Sequence, residues 1–205
     1  MKKIFITPKI NYDKHKQLQT TINIEWYNYL SKLNYQAYSG YFKDKKDLNI
    51  ISKNFDGLIL SGGGEIFRKE KKLKNKLRDD FEIRLFKNFT KIDKPVLCIC
   101  RGFQLIGTNN NSKLVIAKNH IKTNHKIYNT KKSDIFNIRE LNTNSFHKYM
   151  FKKLDKNFEV FYVSKDKSVE IAKIKNKKIF CFMFHPERKN QSQKYIDLFL
   201  KKIFK

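Results

Sequence analysis

Two short segments of this 205-residue sequence combine residue types that can carry out acyl transfer. In Cys100-Arg101-Gly102-Phe103-Gln104, a thiol directly follows the apolar run Val96-Leu97-Cys98-Ile99, at a tight turn into a helical segment. A nucleophile there is lifted clear of a sheet. The helix N-terminus favours its thiolate form, and the next backbone N–H can donate to an oxyanion. In Phe184-His185-Pro186-Glu187, which ends the apolar run Ile179 to Met183, an imidazole and a carboxylate stand two residues apart with a proline fixing the turn. A thiol nucleophile needs a base and the base needs an orienting acceptor, which His185 and Glu187 can supply. The competing reading, a buried structural cysteine, suits Cys98 and Cys181. His15, His120 and His125 lie in polar stretches and read as surface residues. Three cysteines cannot build a disulfide framework, and Cys98-x-Cys100 lacks a second ligand pair at zinc-binding spacing, so neither a metal nor another cofactor is expected.

Glycine marks where the backbone approaches this chemistry. Of seven glycines, Gly57, Gly62, Gly63 and Gly64 surround one apolar strand, and Gly102 and Gly107 follow the next. Glycine suits positive φ or close backbone approach, and ligands of open parallel sheets sit beyond the carboxyl ends of the strands. Both groups therefore point at one crevice. Ser61-Gly62-Gly63-Gly64 lacks the Lys-Ser/Thr of a phosphate-binding P-loop.

The elements that must position these residues follow from periodicity. Ile4 to Thr7 reads as a first strand, Gln19 to Leu33 as a helix, Tyr35 to Phe42 as a strand and Asp47 to Asn54 as a short helix. Asp56 to Ser61 is a turn and strand; Glu65 to Phe89 is a charged helix with Phe81, Leu85 and Phe89 on one stripe. Strands alternating with helices predict a parallel sheet covered on both faces. The second half predicts short strands at Leu114 to Ala117, Phe136 to Arg139, Phe158 to Val163, Val169 to Ile174 and Ile179 to Phe184, as hairpins or edges, before a helix over Ser192 to Phe204. No internal linker or repeat divides the chain, so one domain over 1–205 is expected.

Lys+Arg 45 against Asp+Glu 19 gives a net charge of +26, while hydrophobic residues at 40% exclude whole-chain disorder. The charge is mostly lysine, scattered through the chain, and arginine, which grips phosphate and bases bidentately, is scarce. A nucleic-acid-binding role is disfavoured, although such a field draws in small anions. No apolar run is long enough to span a bilayer and the first residues do not resemble a signal peptide, so a cytoplasmic protein without a membrane partner is expected.

The ordered segments Asp56 to Gly64, Arg78-Asp79-Asp80-Phe81-Glu82, Lys94 to Gln104, Asn144-Ser145-Phe146-His147 and Phe184 to Glu187 resemble the class I glutamine amidotransferase superfamily. More narrowly they are similar to its free-standing γ-glutamyl hydrolase branch, the peptidase C26 type, along nearly the whole chain. The resemblance implies a flavodoxin-like, open and mostly parallel α/β sheet with helices on both faces and added antiparallel edge strands. It further implies a catalytic triad of Cys100, His185 and Glu187, a glutamyl thioester, and an oxyanion hole from the backbone amides of Gly63 and Arg101. Gly62, Gly64, Gln104, Asn144, Ser145, Phe146 and His147 match positions that bind substrate. The expected partner is a small γ-glutamyl amide, with the charge favouring an anionic, nucleotide-linked one; Arg68, Lys69, Lys148 and Arg188 are candidates to meet it. A glutaminase subunit that supplies ammonia to a synthetase is the alternative, a basic nucleic-acid-binding protein is a weaker one, and a homo-oligomer is compatible with either enzyme. Asn109-Asn110-Asn111 and Phe184 depart from the family pattern, which leaves the leaving-group pocket undefined by motif.

Overall fold

A computed structural model describes residues 1–205. The first half runs β1 (Lys2–Ile6), β2 (Lys9–Tyr12), β3 (Leu18–Thr21), α1 (Ile24–Lys32), β4 (Tyr35–Ser39), α2 (Lys45–Asn54), β5 (Gly57–Leu60), α3 (Leu73–Lys91), β6 (Val96–Ile99) and α4 (Arg101–Asn109). The second half is strand-rich: β7 (Leu114–Ile116), β8 (Ile121–Asn129), β9 (Glu140–Phe146), β10 (Tyr149–Phe151), β11 (Phe158–Ser164), β12 (Val169–Ile174) and β13 (Ile179–Phe182), closed by α5 (Gln193–Ile203).

Nine strands form one sheet in the order β4-β1-β5-β6-β13-β12-β11-β8-β9. The five from β4 to β13 are mutually parallel and the remainder pair antiparallel. β5, β6 and β13 are buried at every position, as continuous apolar runs covered on both faces must be. Alternation along β1 divides the core: Ile4 and Ile6 join the layer under α1 and α5, whereas Phe5 joins the layer under α2, α3 and α4. This is the expected open, mostly parallel sheet with helices on both faces and antiparallel strands added at one edge.

Three sequence expectations fail locally. Leu18–Thr21 is not the start of a helix but pairs with Lys9–Tyr12 as a hairpin, and α1 begins only after Asn23. The segment 65–72 is irregular, and α3 starts at Leu73, because the Asp79 carboxylate accepts the Phe67 amide at 2.8 Å and holds the preceding loop against the helix. Phe136 to Arg139 is not a strand; Phe136 is a buried ring packed on Phe161 and Phe199, and the strand begins at Glu140.

Candidate active site

Cys100 occupies the single residue between β6 and α4, at φ 48 and ψ −99. Side chains rarely adopt positive φ, and such strain persists only where the surroundings enforce it, at a cost of about 1–3 kcal/mol. Here the Cys100 amide donates to Phe182 O at 2.7 Å, and its carbonyl accepts from Gln104 N at 2.9 Å. Gly102 lets the first turn of α4 press onto β5: a Cβ there would lie 2.5 Å from the Leu60 carbonyl oxygen.

The parallel pairing of Ile99 with Phe182 brings the ends of β6 and β13 side by side, so His185 arrives next to Cys100. Both side chains border one cleft. On its other side His185 Nδ1 lies 2.7 Å from Glu187 Oε1. Burial pushes the imidazolium towards its neutral form, but the Glu187 charge, its hydrogen bond and the neighbouring Cys100 outweigh it and raise the His185 pKa to about 9. Gly62 leaves room for this pair, since a Cβ at that position would stand 2.4 Å from His185 Cε1 and 3.3 Å from Cys100 Cβ.

The glycine loop is held from behind by buried ions. Arg78 donates to the carbonyls of Ser61 (2.7 Å) and Gly63 (2.6 Å) and to Glu82 (2.9 Å), while Arg101 pairs with both Glu82 and Asp79. Thr7 donates to Glu82 at 2.7 Å and receives the Ser61 amide at 3.1 Å. Burial pushes the Glu82 carboxyl upward in pKa, yet the two guanidiniums and Thr7 override this and keep it ionised. With its carbonyls tied back, the loop carries Gly63 and Gly64 at φ +84 and +76, conformations suited to glycine. The amides of Gly63 and Arg101 donate to no protein acceptor.

A cleft of about 200 Å³ opens over Cys100 and His185. Of the sequence candidates, Gly63, Gly64, Gln104, Phe146 and His147 line it with them. Gly62 and Glu187 line an adjoining recess instead. Asn144 and Ser145 do not line the cleft. Asn144 clamps the turn at His185, with Nδ2 donating to His185 O at 2.7 Å and Oδ1 accepting from His185 N at 2.9 Å. Ser145 donates to His120 O at 2.8 Å. His147 reaches the cleft wall but is spent inward: Nδ1 faces the Tyr149 carbonyl at 3.1 Å, the same oxygen that accepts Gln104 Nε2 at 3.1 Å. Among the four cations singled out, Lys148 and Arg188 line the cleft. Arg68 and Lys69 border a separate depression beside Asn111 and Lys113, with the Lys69 ammonium 4.7 Å from the Tyr149 ring.

Several contributors carry no signal in the sequence. Lys9 lines the recess between Gly62 and Glu187; burial and the neighbouring Arg78 and Arg188 pull its ammonium below the usual lysine pKa. His120 and His125, read from the sequence as surface residues, are drawn inward by the β8–β9 pairing; His120 is 4% exposed. With His147 they surround Glu170, a fully buried carboxylate on β12. Burial opposes its charge, but the histidines prevail and hold its pKa below the usual carboxylate range. His120, His125 and Glu170 offer donor atoms within 4.8 Å of one another, ligand types that could hold a metal. Both ring nitrogens of His120 are engaged, Nδ1 by His147 at 3.1 Å and Nε2 by Asp166 at 3.3 Å, whereas His125 Nε2 and Glu170 Oε2 are buried without a hydrogen-bond partner.

A strand-end cysteine, a strand-end His-x-Glu and a glycine loop thus meet above a mostly parallel sheet. The Peptidase C26 pattern matches residues 39–187, and the chain belongs to that family. It is 31% identical to the gamma-glutamyl-CDP-amidate hydrolase of Campylobacter jejuni over 144 residues, 70% of this chain and 68% of that protein. It is 34% identical over 138 residues to the glutamine-hydrolyzing GMP synthase subunit of Methanocaldococcus jannaschii, covering 66% of each. The chain thus spans about two thirds of the length of these relatives. The fold is shared with a glutamine amidotransferase of Thermotoga maritima, at a TM-score of 0.67 and 14% identity over 98% of this chain and 83% of that one. No helix is long and apolar enough to cross a membrane.

Proposed function

We propose that the protein hydrolyses a γ-glutamyl amide through Cys100, His185 and Glu187. The observation that carries this reading is the strained Cys100 elbow beside a histidine whose far nitrogen is held by a buried carboxylate. The Cys100 sulfur attacks the γ-carbonyl carbon, and the carbonyl electrons move onto oxygen, where the Gly63 and Arg101 amides receive them. One such donor contributes roughly 3–4 kcal/mol in comparable sites. His185 gives its proton to the leaving nitrogen, the C–N bond breaks and the amine departs, leaving a glutamyl thioester. His185 then takes a proton from water as it attacks the thioester, glutamate leaves and the thiol is restored. Glu187 fixes the imidazole orientation and balances its charge. In this reading Gly64 and Gln104 hold the glutamyl α-groups, with Phe146 as a further wall of the cleft; Asn144, Ser145 and His147 act through the backbones of His185, His120 and Tyr149.

The likeness to gamma-glutamyl-CDP-amidate hydrolase and the positive charge support an anionic, nucleotide-linked substrate. The three free thiols suit a reducing compartment such as the cytoplasm. A second reading, a glutaminase that passes ammonia to a synthetase, is favoured by the likeness to glutamine-hydrolyzing GMP synthase subunits. Incubating the purified chain with glutamine, neutral γ-glutamyl amides and a nucleotide-linked γ-glutamyl amidate, and measuring free glutamate, separates the two. The hydrolase turns over the amidate unaided and faster than glutamine. Glutamate from glutamine alone, released only when a synthetase is added, would favour the second reading.

A further inference from the structure

Next to the catalytic cleft lies a second, larger groove of about 590 Å³, and the two share Phe146 and Arg188 as a common wall. The far side of that wall is bordered by Lys122, Thr123, Asn124 and Lys189, so three cations line the groove and no carboxylate does. In a chain with 45 basic residues, lysines alone would mean little. Three further features make this groove specific. The Arg188 guanidinium lies 4.2 Å from the centre of the Phe146 ring, which fixes a long side chain as a flat cationic surface between the two spaces. The Phe146 ring in turn meets His185 edge-on at 6.0 Å, so the wall is anchored to the reacting centre. Lys122 is the extra residue of a bulge in β8: Ile121 pairs with Phe146 and Thr123 with Ser145, leaving Lys122 unpaired at φ 53. Bulges redirect side chains, and here consecutive residues serve different spaces, Ile121 the cleft and Lys122 the groove.

Resting on the hydrolase reading above, we infer that this groove is the leaving-group subsite and that it takes a phosphate-bearing leaving group of the nucleoside diphosphate type. The γ-glutamyl part occupies the cleft over Cys100, and the scissile amide lies by the Phe146–Arg188 wall. The phosphates meet Arg188, Lys122 and Lys189, of which Arg188 alone has an acid in reach, Glu187 at 4.0 Å, and the guanidinium plane offers a stacking surface to the attached ring. Glutamine, whose leaving group is ammonia, does not reach the groove.

The test uses Lys122→Asn, which tolerates positive φ, combined with Lys189→Gln, so that both charges are lost with little backbone strain. Wild type and variant are compared by kcat/KM on glutamine and on a γ-glutamyl amidate of CDP, and by calorimetric binding of CDP, cytidine and inorganic pyrophosphate. The expected result is a loss of roughly tenfold or more in kcat/KM for the amidate and a matching weakening of CDP binding, with glutamine turnover within about twofold of wild type. CDP should bind more tightly than pyrophosphate and far more tightly than cytidine; pyrophosphate binding equal to CDP would overturn the nucleoside diphosphate assignment. Equal losses on both substrates, or unchanged amidate turnover and CDP binding, would overturn the subsite. Should the wild type release glutamate from no substrate, the hydrolase reading fails on its own. CDP binding then decides the groove separately, and its absence or insensitivity to the two substitutions overturns it.

Discussion

Cys100, His185 and Glu187 are legible as residues because each signal is local: a thiol after an apolar run, and a His-x-Glu after another. What the sequence cannot express is their electrostatic state. His185 is almost wholly buried, yet its pKa rises to about 9 through Glu187 and Cys100. Because the folded value exceeds the ordinary 6.5, this group's stabilising contribution is complete below about pH 6.5 and is lost as pH rises through 9. An NMR titration of the His185 ring should place its midpoint near 9, and Glu187→Gln should move it down by removing the opposing charge. A midpoint unchanged by that substitution would contradict the pairing. Lys9 gives no sequence signal, being one lysine among many, and only the hairpin of β2 and β3 brings it beside Gly63.

Among the elements, the parallel half is legible because buried parallel strands announce themselves as apolar runs between helical stripes. The β8–β9 pair is not, since β9 buries the consecutive polar residues Thr143, Asn144 and Ser145, whose burial depends on partners that hydropathy cannot register. The same polarity makes His120 and His125 look like surface residues. Helix α3 shows the converse case: its stripe of Phe81, Leu85 and Phe89 is plain from spacing, whereas the role of Arg78, Asp79 and Glu82 emerges only when the loop of Gly62 to Gly64 is seen resting on them. Glu82 pairs with both Arg78 and Arg101 in a dry setting, with Asp79 as the second acid, and removing one member of such a network costs about 3–5 kcal/mol. Glu82→Gln should therefore lower the urea midpoint strongly and reduce kcat through a loosened glycine loop. Stability and turnover near wild type would show that the loop does not depend on these ions.

At the level of the whole molecule, the net charge of +26 is spread over the surface, but its consequence concentrates where acids are missing, at the groove bordered by Lys122, Arg188 and Lys189. Long-range attraction of this kind decays over a Debye length of about 10 Å at 0.1 M salt. Raising the salt from about 0.02 to 0.3 M should reduce kcat/KM for an anionic γ-glutamyl amidate several-fold and leave glutamine, a zwitterion, nearly unaffected. A parallel decline for both substrates would point to a general effect of salt on the enzyme rather than to steering.

The central claim is that Cys100 carries the glutamyl group during turnover. Rapid acid quenching of the enzyme with a γ-glutamyl substrate, followed by intact-mass measurement and peptide mapping, tests it directly. The account predicts a glutamyl adduct confined to the peptide containing Cys100, absent from Cys100→Ala, and turnover abolished in that variant while Cys98→Ala and Cys181→Ala remain active. An adduct mapped to another residue, or wild-type glutamate release by Cys100→Ala, would contradict it.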